Sequence, residues 1–131
     1  MQVVAPIDIA DALRIDLSAI VDDLRFFCIP IPPDLRAGDV VIESLGGSRV
    51  SGSSNVYDVT IGVYADDEAE ATYTANMLAG IVNSLPLRDT QTQYSNATAN
   101  LPYADHDPRA QELARQSFRA SVITPGNDLE I

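Results

Sequence analysis

The chain has 131 residues, 46% hydrophobic and 21% charged, and 19 acidic residues against eight basic ones give a formal net charge of -11. That length suits one domain with one real core, and the balance is that of a folded chain and not a disordered one. The charge argues against a surface for DNA or anionic membrane, which needs clustered Lys or Arg, and no apolar run approaches the roughly 20 residues that span a bilayer.

In chain order, Met1 to Pro6 carries no basic residue and does not read as a secretory signal. Ile9, Leu13, Leu17, Ile20, Val21 and Leu24 recur at helical spacing, with polar residues between them. Asp8 is placed to cap this helix, because its carboxylate can accept the free N–H groups of the first turn. The run Ile29-Pro30-Ile31-Pro32-Pro33 cannot be helix, since each Pro lacks a donor and pushes its predecessor to extended geometry. It predicts a stiff strap across the surface.

Val40 to about Leu45 predicts a first strand. Gly46-Gly47-Ser48 and Ser51-Gly52-Ser53-Ser54-Asn55 then predict a long, mobile hairpin tip. Val56 to Tyr64 is the clearest strand: Tyr57, Val59, Ile61 and Val63 share one face, and Asp58, Thr60, Gly62 and Tyr64 the other. Asp67 with Glu70 opens a second helix, expected to turn Ala71, Thr74, Leu78, Ile81 and Leu85 inward, with Met77 and Val82 flanking, and to stop at Pro86. Thr90 to Tyr103 is weakly patterned, with Ala97, Ala99, Leu101 and Tyr103 lining a third strand. Asp107-Pro108 reads as a capped helical turn. The last segment fits either helix or strand, and alternation from about Arg115 to Thr124 favours a strand, followed by a short acidic tail. The fold class expected is α+β, with a mixed or antiparallel sheet of about four strands packed by two helices. The order is helix-strand-strand-helix-strand-strand. No linker divides the chain, so residues 1–131 are expected to form a single domain.

The catalytic toolkit is thin, with one His, one Cys and no Trp. Asp105-His106-Asp107 could in principle hold a metal, but adjacent residues point apart and no second His exists. A solvated loop before a capped turn explains it better. Cys28 sits between Phe27 and Ile29, an apolar setting that raises a thiol's pKa, so it reads as structural. Being alone, it forms no disulfide framework, and a reducing compartment is the default. The glycines near Ser51 lack the Lys and the following helix of a phosphate-binding loop. Asp66-Asp67-Glu68 lacks a calcium-loop spacing and is explained as a helix cap. No catalytic residue, cofactor or metal is therefore expected. The Arg115, Ser117, Arg119, Ser121 face is either a charged contact for the acidic face of a neighbour or the wet side of a half-buried strand.

Three stretches carry a resemblance: Asp39 to Ser48, with its strand running into a flexible loop; Val56 to Ala65, before an acidic-capped helix; and Ala114 to Ile123, the last strand. Together with length and element order, they make the chain similar to tail terminator proteins of long-tailed bacteriophages of the lambda type. The resemblance is a pattern of elements over most of the chain, without a sharp motif, and other neck and tail-completion proteins share much of it. It implies a structural virion protein, with no catalytic residues. It implies a homo-oligomeric ring of six copies that caps the tail tube protein and offers a surface to a head-completion or neck protein. DNA would pass through the ring without specific binding, and the protein would be found in the virion and, during assembly, in the host cytoplasm. The expected subunit or partner contacts are Ile29 and Ile31 of the strap, Arg49, Val50, Ser51 and Ser53 of the hairpin, and Asp58, Thr60, Arg115 and Arg119 of the outer strand faces. The alternatives are another neck component, or a small cytosolic α+β enzyme or ligand-binding domain.

Overall fold

A computed structural model describes all 131 residues. The elements in order are β1 (Gln2–Ala5), α1 (Ile9–Ile20), β2 (Arg25–Cys28), β3 (Asp39–Arg49), β4 (Ser54–Ala65), α2 (Glu68–Ser84), β5 (Asn96–Ala99), β6 (Tyr103–Ala104), β7 (Ala114–Pro125) and β8 (Asn127–Glu130), with 3-10 turns at Leu85–Leu87 and Pro108–Ala110. The class is α+β with two helices, as expected. The sheet is larger than expected: six strands in place of about four, ordered β2-β3-β4-β7-β5 with β6 also on β7, and a separate β1-β8 ribbon. Only β2 and β3 run parallel.

Three carboxylates fix element starts as the sequence predicts. Asp8 accepts from the Asp11 N–H at 3.2 Å, Asp67 from the Glu70 N–H at 2.8 Å, and Asp107 from the Arg109 N–H at 3.0 Å. The apolar spacing that continues to Leu24 overstates α1, which ends at Ile20 with Val21 already extended. Asp22 and Asp23 follow, and carboxylates are unfavourable at the negative end of a helix. The chain then turns into β2, whose Arg25-Phe26-Phe27-Cys28 has strand-forming aromatics.

The faces of β4 are as the alternation predicts: Tyr57, Val59, Ile61 and Val63 are buried. Opposite them on β7 stand Val122, Ala120, Phe118 and Gln116. Both helices cover this face, closing one core of 21 buried residues. The stripe of α2 differs from expectation. Ala71, Ala75, Leu78, Ala79 and Val82 are buried, while Thr74 and Ile81 are half-buried. The small alanines let the backbone approach the sheet, which rotates the inner stripe towards them.

The hairpin tip is also shorter than expected. Strand β3 carries on through a bulge between Ser44 and Gly46, so the tip is Val50 to Ser53. Gly46 takes a φ of +94° at the bulge, and a side chain on Gly47 would collide with the Val56 carbonyl. The strap folds back on the outer face of the sheet. There Ile31 joins Phe27, Leu35 and Leu113 over Val41, Tyr64 and Ala110, while Ile29 remains exposed. The acidic tail is β8, paired residue for residue with β1 from Gln2–Glu130 to Ala5–Asn127.

Candidate assembly surface

The sheet's outer face is finished differently along its length. At the Tyr64 end of β4 it is closed by a polar cluster. Tyr64 is buried, and its hydroxyl donates to Asp107 Oδ2 at 2.6 Å. Burial, and then this hydrogen bond, push the Tyr64 hydroxyl up to about 12. Arg109 donates to both oxygens of Asp107 at 3.1 and 3.2 Å. Those bonds, helped by Tyr64 and opposed by burial, hold the Asp107 carboxyl well below its usual range. Arg115 stacks over the Tyr64 ring at 5.4 Å and pairs with Asp105 at 3.1 Å, and Asp105 also accepts from Ser117 Oγ at 2.8 Å. Gly62 makes room for this: a Cβ there would stand 2.8 Å from Arg115 Nε. Asp105 and Asp107 are thus both engaged inside the chain, while His106 between them is exposed. No group of three or more His, Cys, Asp or Glu side chains converges anywhere.

Two other carboxylates lock loops. Asp39 is fully buried and takes a two-pronged pair from Arg25 at 2.6 and 2.8 Å plus the Arg36 N–H at 3.0 Å. Burial alone would raise its pKa; the Arg25 hydrogen bonds and the Arg36 N–H win and lower it. Asp16, buried on α1, accepts from the N–H groups of Gln91 and Thr92 and from the Tyr94 hydroxyl at 2.7 Å. The Tyr94 hydroxyl is raised by burial and by that bond. Cys28 is half-buried, and burial pushes its thiol up, against a smaller opposing effect of Arg14. The two carboxylates hold loops in place.

The hairpin half of the outer face is open. Glu43 to Ser53 is exposed throughout, so Arg49, Val50, Ser51 and Ser53 stand at the tip as a free surface. Asp58 is exposed and accepts from Ser121 Oγ at 2.6 Å across the β4–β7 pair. Thr60 is half-buried beside it, and Arg119 is exposed opposite Thr60. Of the ten residues expected at a contact, Arg115 is drawn away into the Tyr64 cluster and Ile31 into the covered patch. The others remain available. Under the hairpin, a groove of about 430 Å³ is lined by Pro6, Ile7, Ile9, Ser44, Gly46, Ser48, Arg49 and Tyr57, among others. The Tyr57 hydroxyl at its wall accepts from the Ile7 N–H at 2.9 Å. No helix is long and apolar enough to cross a membrane.

No family model matches the sequence, and no curated protein matches it either. The fold has solved counterparts. A chain described as part of the virion of a native gene transfer agent particle superposes with a TM-score of 0.61 at 18% identity. The match covers 91% of this chain and 98% of that one. At that identity the likeness is one of fold.

Proposed function

We propose that this chain is a structural protein of a phage-like virion, and within that class a tail terminator: a ring of copies that caps the tail tube and offers its far surface to a head-completion or neck protein. The observation that carries this reading is the near end-to-end superposition on a chain of a gene transfer agent virion. The match spans both chains almost completely, so it is not a shared fragment. The placement of the polar groups supports it. The buried carboxylates Asp16, Asp39 and Asp107 are engaged inside the chain, whereas the open groups are spread over a hairpin and a sheet face. The charge of -11 suits a ring around a DNA channel, because an acidic wall does not trap passing duplex.

The test is assembly. Particles made without this chain should carry tail tubes of uncontrolled length, and purified protein should bind tube ends and restore a single length in electron micrographs. Normal tail lengths with unjoined heads would instead favour a head-completion role. Normal particles, or a pocket holding a metabolite, would sink the structural reading. A gel shift with tight duplex binding at moderate salt would count against the channel argument.

A further inference from the structure

Helix α2 turns a face without charge to solvent. From Ala71 to Leu87 the chain has no charged residue, and from there to Ala104 only Arg88 and Asp89. The buried stripe of α2 rests on the sheet. Outward stand Ala69, Tyr73, Asn76, Gly80 and Asn83, continued by Leu87 in the turn that follows, all of them exposed. Tyr73 is 72% exposed and Leu87 91%, and neither belongs to a core cluster. Alternating steps of four and three place this set in one line along the helix, the spacing of a seam between two helices. Loss of charge and a bare Tyr are also how the centres of protein interfaces differ from the rest of a surface.

The charge of the chain says what kind of partner such a face takes. A basic partner would settle on the acids elsewhere on the surface, whereas an acidic one needs a face without them. A second copy, at -11, is acidic. The line also complements itself. Turned end for end about its middle, it sets Leu87 on Ala69, Tyr73 on Asn83 and Asn76 on Gly80, each time a larger side chain on a smaller one. The charges stand at the ends, where Asp66, Asp67, Glu68 and Glu70 of one copy come to Arg88 and Asp89 of the other, so the uncharged middle decides the contact. There the exposed Asn76 is free to bond across, and a polar amide in a seam fixes its register.

We infer that a second copy of this chain docks on α2, the two helices antiparallel across a two-fold axis that passes between Asn76 and Gly80. The same patch serves both subunits, so the contact is isologous and stops at a pair. It cannot itself close a ring; it stands apart from the ring reading and leaves the hairpin free.

The test compares wild type, Gly80→Glu and Val50→Asp by sedimentation velocity and native mass spectrometry. Gly80 is exposed and nothing stands within 4 Å of a Cβ there, so Gly80→Glu should melt no lower than wild type. Wild type should form dimers that Gly80→Glu weakens at least about tenfold, while Val50→Asp, with the same change of charge at the hairpin tip, leaves them intact. A one-to-one mixture of Asn76→Cys and Gly80→Cys chains should oxidise to a covalent heterodimer, and either variant alone far less. A wild type that stays monomeric at high micromolar concentration, or a Gly80→Glu chain that pairs as tightly as wild type, overturns the docking. Rings lost in Val50→Asp and kept in Gly80→Glu, with no dimers, would overturn it and leave the ring reading in place. A monomer whose binding to tail tubes is lost in Gly80→Glu would assign the face to the tube protein instead.

Discussion

The β4–β7 pair runs the full height of the sheet, and its two ends are finished in opposite ways. At the Tyr64 end, a buried hydroxyl, two carboxylates and two arginines pair with one another in a space that Gly62 leaves open, with only the buried Arg115 Nε left without a partner. At the hairpin end, β3 and β4 project beyond the buried Tyr57 to an exposed tip of Val, Ser and Gly. The first end depends on every partner being present, because a buried polar group left alone bears its full desolvation cost. The second end has little to lose on mutation and much surface to offer. Stability and assembly should therefore separate along the same two strands.

The largest effect should come from Asp107→Ala. It strands the Tyr64 hydroxyl in a buried site and releases Arg109, and should cost about 3 kcal/mol in denaturant unfolding. A loss below about 1 kcal/mol would mean that water replaces the carboxylate and that the end is not closed. Gly62→Ala comes next, at about 1–2 kcal/mol. Its methyl would press on an Arg115 side chain that Asp105 and Tyr64 hold in place, and Arg115→Ala in the same background should remove most of that added strain.

Acid should act on the same end. Asp107 and Asp39 both have folded pKa values below the ordinary 3.8. The unfolded chain thus takes up their protons first, and their contribution is complete above about pH 4 and lost as pH falls through the lower folded values. Unfolding free energy measured from pH 6 down to pH 2 should fall steeply in the last two units, and Asp107→Asn should flatten that slope. An unchanged slope would show that Asp107 titrates normally.

The contrast between the ends was only half legible in the sequence. Alternation along Val56 to Tyr64 and Arg115 to Thr124 places each side chain on the correct face, because period two is a local property. Caps at Asp8, Asp67 and Asp107 are legible for the same reason. What alternation cannot say is which outward residue finds a partner. Arg115 and Arg119 look equivalent, yet one meets Asp105 and Tyr64 while the other stays free. The β1–β8 ribbon is invisible locally because its two strands are separated by almost the whole chain. Leu101 is expected on one face of a third strand, but β5 ends at Ala99 and leaves it exposed.

The smallest effect on stability should be Val50→Asp, and it is the sharpest use of the contrast. Val50 is 56% exposed at the tip, so an acidic side chain there should change unfolding free energy by no more than about 0.5 kcal/mol. It nevertheless adds negative charge beside Arg49 on a chain already at -11, on the exposed tip proposed above as an assembly contact. Melting should thus be unchanged while capping of tail tubes declines, and the decline should shrink at higher salt as repulsion is screened. If melting and capping fall together, the hairpin belongs to the folded unit in the same way as the Tyr64 end, and the two ends are not divided between stability and assembly.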